Sequence, residues 1–214
     1  MSPEDVAQFL KANPEFFGER PDLLESLLVP HPHGGRAIPL VERQMVSLRE
    51  KLKGLEGKLA ELIRYAEEND AISEKVHRLA VAIGAARDFP ALTQSLYFHL
   101  REDFSVPHVA LRVWGKSVPV DFVEAGAITD EQRSAGEALG GPQCGDAAGS
   151  PFASWFGEAS AHLKSLALVP LGPTRPFGVL ALGSEDSQRF YAEMGTLYLR
   201  RIGELAAAGI AARL

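Results

Sequence analysis

VERQMVSLREKLKGLEGKLAELIRYA, residues 41–66, is the stretch that decides how this chain is organised. Its apolar residues recur at alternating intervals of four and three: Val41, Met45, Leu48, Leu52, Leu55, Leu59, Leu62 and Ala66. This spacing keeps them on one narrow stripe of a helix, which is the pattern of a coiled-coil seam. Because a single helix cannot cover such a stripe, we expect the same stretch of a second chain to cover it. The sequence therefore predicts a homodimer.

Charges beside the seam favour parallel pairing, because Lys51 at a g position and Glu56 at the following e position attract each other between parallel helices. The next two seam positions are polar, Asn69 and Ser73, before apolar residues resume. Polar residues in a seam set its register at some expense of stability, so the pair can be a joint where packing changes. Alternatively, Asn69-Asp70 marks the end of the helix.

Composition bounds the class of protein. The chain has 214 residues, of which 46% are hydrophobic and 23% charged, which is typical of a soluble globular domain with an appended helical segment. The apolar runs are far shorter than the roughly 20 residues of a membrane span, and the acidic N-terminus does not resemble a secretory signal. A single cysteine fits a reducing compartment. We therefore expect a cytoplasmic protein without membrane contact.

Charge argues against direct nucleic-acid binding. The net charge is −6, and the first 35 residues are strongly acidic. Those residues read as two short helices, around 6–10 and 22–28, followed by the Pro/His/Gly-rich link 30–35. A helix-turn-helix is disfavoured because no basic second helix is present, so we interpret the segment as a cap on the coiled coil or on the partner chain.

Beyond residue 74 the periodicity changes from helical to strand-like. Helices are predicted over 76–87, 89–103 and 191–214, with a short helix near 152–156, and strands over 108–114, 118–124, 165–171 and 177–184. Residues 126–150 read as a loop-rich centre. This order predicts an α+β domain whose antiparallel sheet is covered by helices on one face and by long loops on the other.

Two resemblances cover nearly the whole chain. The strands Ser165–Leu171 and Phe177–Gly183, with the terminal amphipathic helix, resemble the close of a GAF domain, a fold that holds small ligands between its sheet and covering loops. The N-terminal part is similar to the bacterial domain-of-unknown-function 484 family. The residues that carry that second resemblance are Phe9-Leu10, Asn13-Pro14-Glu15-Phe16-Phe17, Pro21-Asp22-Leu23-Leu24, Pro30-His31, Leu40-Val41-Glu42-Arg43-Gln44, Leu48-Arg49 and Glu68-Asn69-Asp70. The resemblance implies a fold, but no chemistry.

The chemistries of GAF-like proteins do not match these residues. The chain lacks the Asn-Lys-Phe-Asp-Glu set of members that bind cyclic nucleotides, and Cys144 has no second cysteine for a sulfoxide-reducing cycle. The residues around Cys144 do not resemble a tetrapyrrole attachment site. His31-Pro32-His33 reads as a solvated link rather than a metal site. We therefore expect no enzyme activity and no metal, and the sequence names no cofactor.

The sequence also predicts a pocket that binds a small ligand. Alternation along 108–114 places Val109, Leu111 and Val113 on one face and Arg112 and Trp114 on the other, where a cation beside an aromatic ring suits an anionic or planar ligand. The alternative is that Arg112 and Trp114 cover each other at a solvent edge. The predicted lining is Arg112, Trp114, Cys144, Trp155 and Ser165.

These observations predict three parts: a helical cap (1–35), a coiled-coil dimerisation helix (36–73) and a GAF-like domain (74–214). The first hypothesis is a non-enzymatic regulatory protein, a homodimer whose small ligand biases the long helix and passes a signal to a separate protein partner. The second is an interaction scaffold whose GAF-like fold binds no ligand. A third, less favoured, is an enzyme that uses Cys144.

Overall fold

The computed structural model describes residues 2–29, 38–115, 122–172 and 174–214. Internal contacts divide the chain into two compact units, 1–67 and 68–214. The boundary between them falls inside the longest helix. The three-part division at residues 35 and 73 stays a prediction, and the whole link 30–35, including His31-Pro32-His33, lies outside the described residues.

The N-terminal unit begins with short helices. They are α1 (Pro3–Ala12), α2 (Phe16–Glu19) and α3 (Pro21–Ser26), followed by the two-residue strands β1 (Leu28–Val29) and β2 (Ile38–Pro39), which pair antiparallel. Helix α1 starts where Ser2 and Asp5 form a capping box, with Ser2 N donating to Asp5 Oδ2 at 2.7 Å and Asp5 N to Ser2 Oγ at 3.2 Å. Edge-on rings of Phe9 and Phe16, 5.7 Å apart, connect α1 with α2.

Helix α4 (Leu40–Ala85) runs for 46 residues without interruption. The helix end considered at Asn69-Asp70 is therefore wrong, since the helix continues for four more turns. Val41 lies in its first turn. The other predicted seam residues are each between 49% and 64% exposed in the single chain: Met45, Leu48, Leu52, Leu55, Leu59 and Leu62. A stripe of large apolar side chains is thus open to solvent along the first part of α4.

The C-terminal unit contains a four-stranded antiparallel sheet. Its strands are β3 (His108–Val113), β4 (Gln143–Asp146), β5 (Ser165–Leu171) and β6 (Gly178–Ser184), in the order β3-β6-β5-β4. The helices around it are α5 (Phe89–Glu102), α6 (Asp130–Glu137) and α7 (Leu197–Ala211), with 3₁₀ segments at Val123–Ala125 and Ala153–Ala161. The predicted α+β class, with an antiparallel sheet flanked by helices, is confirmed.

Three predicted elements differ from the structure. The strand expected over 118–124 falls partly on residues outside the described ranges, and its described end is the 3₁₀ segment Val123–Ala125. The fourth strand is instead β4, and both β4 and helix α6 lie in the stretch 126–150 that was predicted to be loop-rich. Helix α7 begins at Leu197 rather than Tyr191, because residues 191–194 form a turn closed by Met194 N donating to Tyr191 O.

The main core lies between the sheet and the helices α5 and α7. The last turns of α4 belong to it, since Leu79 is fully buried and Ile83 nearly so. Glycines bring α7 close: a Cβ on Gly203 would lie 2.5 Å from Val169 Cγ1, and one on Gly209 would lie 2.5 Å from Ile83 Cγ2. Real Cβ atoms do not approach so closely, so α7 packs on β5 and α4 only with glycine at these positions.

Arg213 closes the ends of two helices. Its Nη2 donates to Ile83 O at 3.0 Å and to Ala86 O at 2.6 Å, and its Nη1 donates to Gly209 O at 2.8 Å. The last carbonyls of a helix have no partner within that helix, so a guanidinium with several donors is well suited to satisfy them. Arg213 thereby ties the end of α4 to the end of α7.

The two polar seam positions have a partner within the chain. Tyr198 Oη, on α7, donates to Asn69 O at 3.0 Å and lies 3.1 Å from Ser73 Oγ. Ser73 thus has a hydroxyl partner on α7, whereas the 3.0 Å bond at Asn69 uses its main-chain carbonyl. The joint predicted at Asn69 and Ser73 stays a prediction.

An ionic cluster links α4 to α5 and makes stability depend on pH. Arg78 Nη2 lies 3.0 Å from Asp103 Oδ1, and His99 Nδ1 lies 2.6 Å from Asp103 Oδ2. The hydrogen bond from His99, followed by that from Arg78, lowers the pKa of Asp103 below its ordinary value of 3.8. A carboxylate whose pKa is lower in the folded state contributes stability above its unfolded pKa and loses it as the pH falls.

We therefore expect Asp103→Asn to reduce the free energy of unfolding at pH 7 by about 1 kcal/mol, the upper range for partly exposed ion pairs. The difference from wild type should shrink as the pH falls below about 4, the ordinary pKa of an aspartate. Urea unfolding at pH 7 and pH 3 measures both effects. Glu102→Gln, at the exposed neighbouring carboxylate, is the control; an equal effect there would contradict the assignment.

Candidate functional site

The face of the sheet opposite the main core carries the residues predicted to bind a ligand. On β3, Leu111 and Val113 join the main core, whereas Arg112 and Trp114 point to the other face, as the alternation predicted. Strand β3 lies at one edge of the sheet. Arg112 is therefore close to the edge of the sheet, where a neighbouring loop segment can pack against it.

The 3₁₀ segment Ala153–Ala161 brings Trp155 to this face. The guanidinium carbon of Arg112 lies 5.7 Å from the Trp155 ring centroid, and Arg112 Nη1 donates to Leu111 O at 2.8 Å. The indole also meets Phe152 edge-on at 4.9 Å. Among the described residues, Trp155 Nε1 is buried without a hydrogen-bond partner, so this donor is available to a water molecule or a ligand.

Protein side chains occupy most of this face. Trp114 packs with Val179 and Leu139, and a Cβ on Gly136 would lie only 2.9 Å from Trp114 Cη2. A second cluster, formed by Ala147, Leu163 and Leu166, also packs around β5. Side chains of the chain itself therefore pack in part of the space where the resemblance to GAF domains implies a ligand.

The structure does not bring all five predicted lining residues together. Arg112, Trp114 and Trp155 share one face, but Cys144 and Ser165 lie on the other. Cys144 is opposite Ala167 in the register of β4 and β5 and packs against the main core. Burial raises the pKa of its thiol, which lowers the fraction of reactive thiolate. Ser165 is buried and donates to Asp186 O at 2.6 Å, a structural contact.

A buried polar pair beside Arg112 was missed from the sequence. Tyr97 Oη, on α5, donates to Glu124 Oε1 at 2.9 Å, and Glu124 is 8% exposed. Burial, and then the Glu124 carboxylate, raise the pKa of Tyr97, while the Arg112 guanidinium lowers it. No sequence signal could pair these residues, because Glu124 was predicted to lie in a strand. The hydrogen bond joins α5 to the 3₁₀ segment Val123–Ala125.

Two cavities lie elsewhere in the C-terminal unit. A cleft of about 600 Å³ lies between α7, the loop 139–142 and the turn after β5, with Arg200 and Glu204 as its charged residues. A smaller cavity of about 360 Å³ lies between α4, α5 and α7. Neither cavity includes any of the five residues predicted to line a pocket.

The described part of the chain contains neither a cluster of metal ligands nor a membrane-spanning helix. There, no group of three or more His, Cys, Asp or Glu side chains is placed to hold a metal ion. Nor does any helix within the described ranges combine the length and apolar character that crossing a membrane requires.

Comparison with known proteins places the chain in a family. The sequence model described as "Protein of unknown function, DUF484" matches residues 1–212. The chain therefore belongs to the DUF484 family. It is also similar to the uncharacterized protein YigA of Escherichia coli strain K12 and of Shigella flexneri, with 26% identity in each case over 92% of this chain and 86% of the relative. The resemblance to GAF domains stays a prediction.

Proposed function

We propose that this chain is a cytoplasmic, non-enzymatic regulatory protein: a homodimer joined through the first part of α4, with a GAF-like C-terminal unit that binds a small ligand. One observation carries the proposal. The same helix that exposes the leucine stripe also places Leu79 and Ile83 in the core of the C-terminal unit. Anything that changes packing in that core acts directly on the helix that pairs.

Exposed apolar area supports pairing. Fully burying a leucine contributes about 1.5 to 3 kcal/mol, so covering the exposed half or more of one seam residue contributes roughly 1 kcal/mol. Six such residues per chain therefore contribute roughly 12 kcal/mol to a dimer. This gain is comparable with the roughly 4 to 15 kcal/mol that association costs, so a stable dimer needs the whole stripe.

Regulation would operate as a shift between two packings of α4. A ligand changes such an equilibrium only if it binds one packing more tightly than the other. The change in packing would occur at Asn69 and Ser73, where Tyr198 contacts α4 through polar groups. The signal would pass to a separate protein partner.

A second function, an interaction scaffold that binds no small molecule, is favoured by the filled face of the sheet. Trp114 and Trp155 occupy the space where a GAF-like ligand would lie. In that case the N-terminal unit and the seam would recruit a partner protein. The third hypothesis, an enzyme that uses Cys144, loses support from the raised pKa of the thiol.

Thermal-shift screening of nucleotides, amino acids and organic acids, together with sedimentation velocity, tests the proposal. A dimer of twice 23.1 kDa, with a melting temperature raised by one class of metabolite, supports the regulatory function. A partner protein that co-purifies in stoichiometric amount, with no response to any metabolite, would favour the scaffold instead. A monomer at micromolar concentration would contradict the regulatory homodimer.

A further inference from the structure

The smaller cavity, which we name the α4–α7 cavity, has an apolar floor and a charged mouth. Its volume is about 360 Å³, within the range of small-molecule sites. The floor consists of buried core residues: Leu100, Val106, Leu182, Phe190, Leu199 and Ile202. The mouth is formed by Ile72 and Lys75 of α4, Phe104 and Ser105 after α5, Arg189, Met194, Gly195 and Tyr198.

Size restricts the occupant. A water molecule takes about 30 Å³ in the liquid, so the cavity has room for roughly a dozen non-hydrogen atoms. The floor offers no side-chain hydrogen-bonding group, since every side chain in it is aliphatic or aromatic hydrocarbon. A ligand must therefore place an apolar chain there and keep any polar group at the mouth.

The charges at the mouth are positive. Arg189 Nη2 donates to Phe104 O, and its guanidinium lies 5.8 Å from the Phe190 ring, so this cation is held in place. Lys75 lies on the α4 side of the opening and makes neither a hydrogen bond nor an ion pair with any described residue. Its ammonium group is thus available to an anion, beside a second cation that strengthens the attraction.

Backbone strain lies at the same opening. Ser105 has φ of 53°, the left-handed region that a serine rarely adopts. The contact of Arg189 with the preceding carbonyl and the bond from Val106 N to Leu100 O, 3.0 Å long, hold the segment in this conformation. Strained residues of this kind concentrate at ligand sites, where the surrounding structure fixes them.

We infer that the α4–α7 cavity binds a linear monocarboxylate of about eight to ten carbons, with its chain on the apolar floor and its carboxylate against Lys75. The inference rests on the proposed ligand-dependent regulation, and it names the site and the class of ligand. Because Ile72 and Lys75 belong to α4, a bound carboxylate joins α4 to α5 and α7. Occupancy would therefore favour the packing of α4 seen here.

Calorimetric titration of the full chain with sodium octanoate tests the inference, with 1-octanol as the uncharged comparison. We expect saturable binding of one octanoate per chain and binding of octanol that is about tenfold weaker. In Lys75→Gln, octanoate affinity should fall about tenfold while octanol affinity stays unchanged, which also shows that the cavity is still formed. Lys58→Gln, on the exposed part of the same helix, should bind both compounds as wild type does.

A second variant tests the location of the apolar chain. Met194→Trp enlarges a half-buried side chain at the mouth and should abolish binding of both compounds. Binding of octanoate that is unaffected by Lys75→Gln or by Met194→Trp, or no binding at millimolar concentration, would overturn the inference. If octanoate does not bind but the chain sediments as a dimer that responds to another metabolite, the inference fails and the proposed function remains.

Discussion

Replacing both Leu52 and Leu59 with glutamate should convert the proposed dimer into a monomer. Both residues occupy core positions of the seam, where a dimer would place four carboxylates in an apolar interface without partners. At a cost of about 1 kcal/mol or more for each carboxylate, the dissociation constant should rise at least about a thousandfold. Sedimentation equilibrium at micromolar concentration measures this change directly.

Gly57→Glu is the matched control, because it adds the same charge on the outer side of the helix. A Cβ at Gly57 has no heavy atom within 4 Å, so the side chain can be accommodated without strain. Glutamate also favours a helix over glycine by about 0.5 to 1 kcal/mol, so this variant should remain dimeric and lose no stability. A double leucine variant that still sediments as a dimer would show that the seam is not the interface.

Leu79→Ala should destabilise the C-terminal unit by about 2 to 5 kcal/mol, the range for truncating a fully buried leucine. Leu79 is 0% exposed in the core formed with α5, α7 and the sheet. The cavity that remains cannot collapse easily, because α4 is fixed nearby by the bonds of Arg213 to its last carbonyls. Urea unfolding at one fixed protein concentration provides the measurement, since the stability of the proposed dimer would depend on concentration.

Val81→Ala serves as the control for this prediction. Val81 is 58% exposed and lies two residues further along the same helix, so its truncation should change the free energy of unfolding by less than about 0.5 kcal/mol. Equal effects of the two substitutions would contradict the assignment of the last turns of α4 to the core. The proposal that α4 couples the exposed stripe to the core of the C-terminal unit would then lose its support.

Strong periodicity made the main elements predictable from the sequence. The seam of α4 and the apolar strands β5 and β6 stand out because burial imposes their pattern over many residues. Strand β4 carries no such signal: Gln143-Cys144-Gly145-Asp146 is a short edge strand with two polar residues and a glycine. Its pairing with β5 comes from tertiary contacts, which override weak local preference.

Helix ends were harder to predict for a related reason. Asn69 and Ser73 resembled a helix end because their polarity interrupts the seam, yet α4 continues through both, and Ser73 Oγ lies 3.1 Å from Tyr198 Oη on α7. The start of α7 was placed too early, since Tyr191 and Met194 continue an apolar pattern that the backbone does not follow as a helix. The local sequence reveals neither the contact with Tyr198 nor the turn that precedes α7.

The candidate site was predictable only within one strand. Alternation correctly separated Arg112 and Trp114 from Leu111 and Val113, because neighbouring residues of a strand point to opposite faces. Placing Cys144 and Ser165 required the register of β4 against β5, which a sequence does not provide. For the same reason, the α4–α7 cavity could not be foreseen: it combines residues more than one hundred positions apart.

Cysteine cross-linking along α4 tests the central claim most directly, that two copies pair in parallel along the exposed stripe. In a Cys144→Ser background, Leu52→Cys places a thiol at a core position that meets itself across a parallel pair, whereas Lys53→Cys places it on the outer side. We expect mild oxidation to convert the Leu52→Cys protein almost completely into a disulfide-linked dimer, with little product from Lys53→Cys. A Leu52→Cys protein that stays uncross-linked, or that links no faster than Lys53→Cys, would contradict the account.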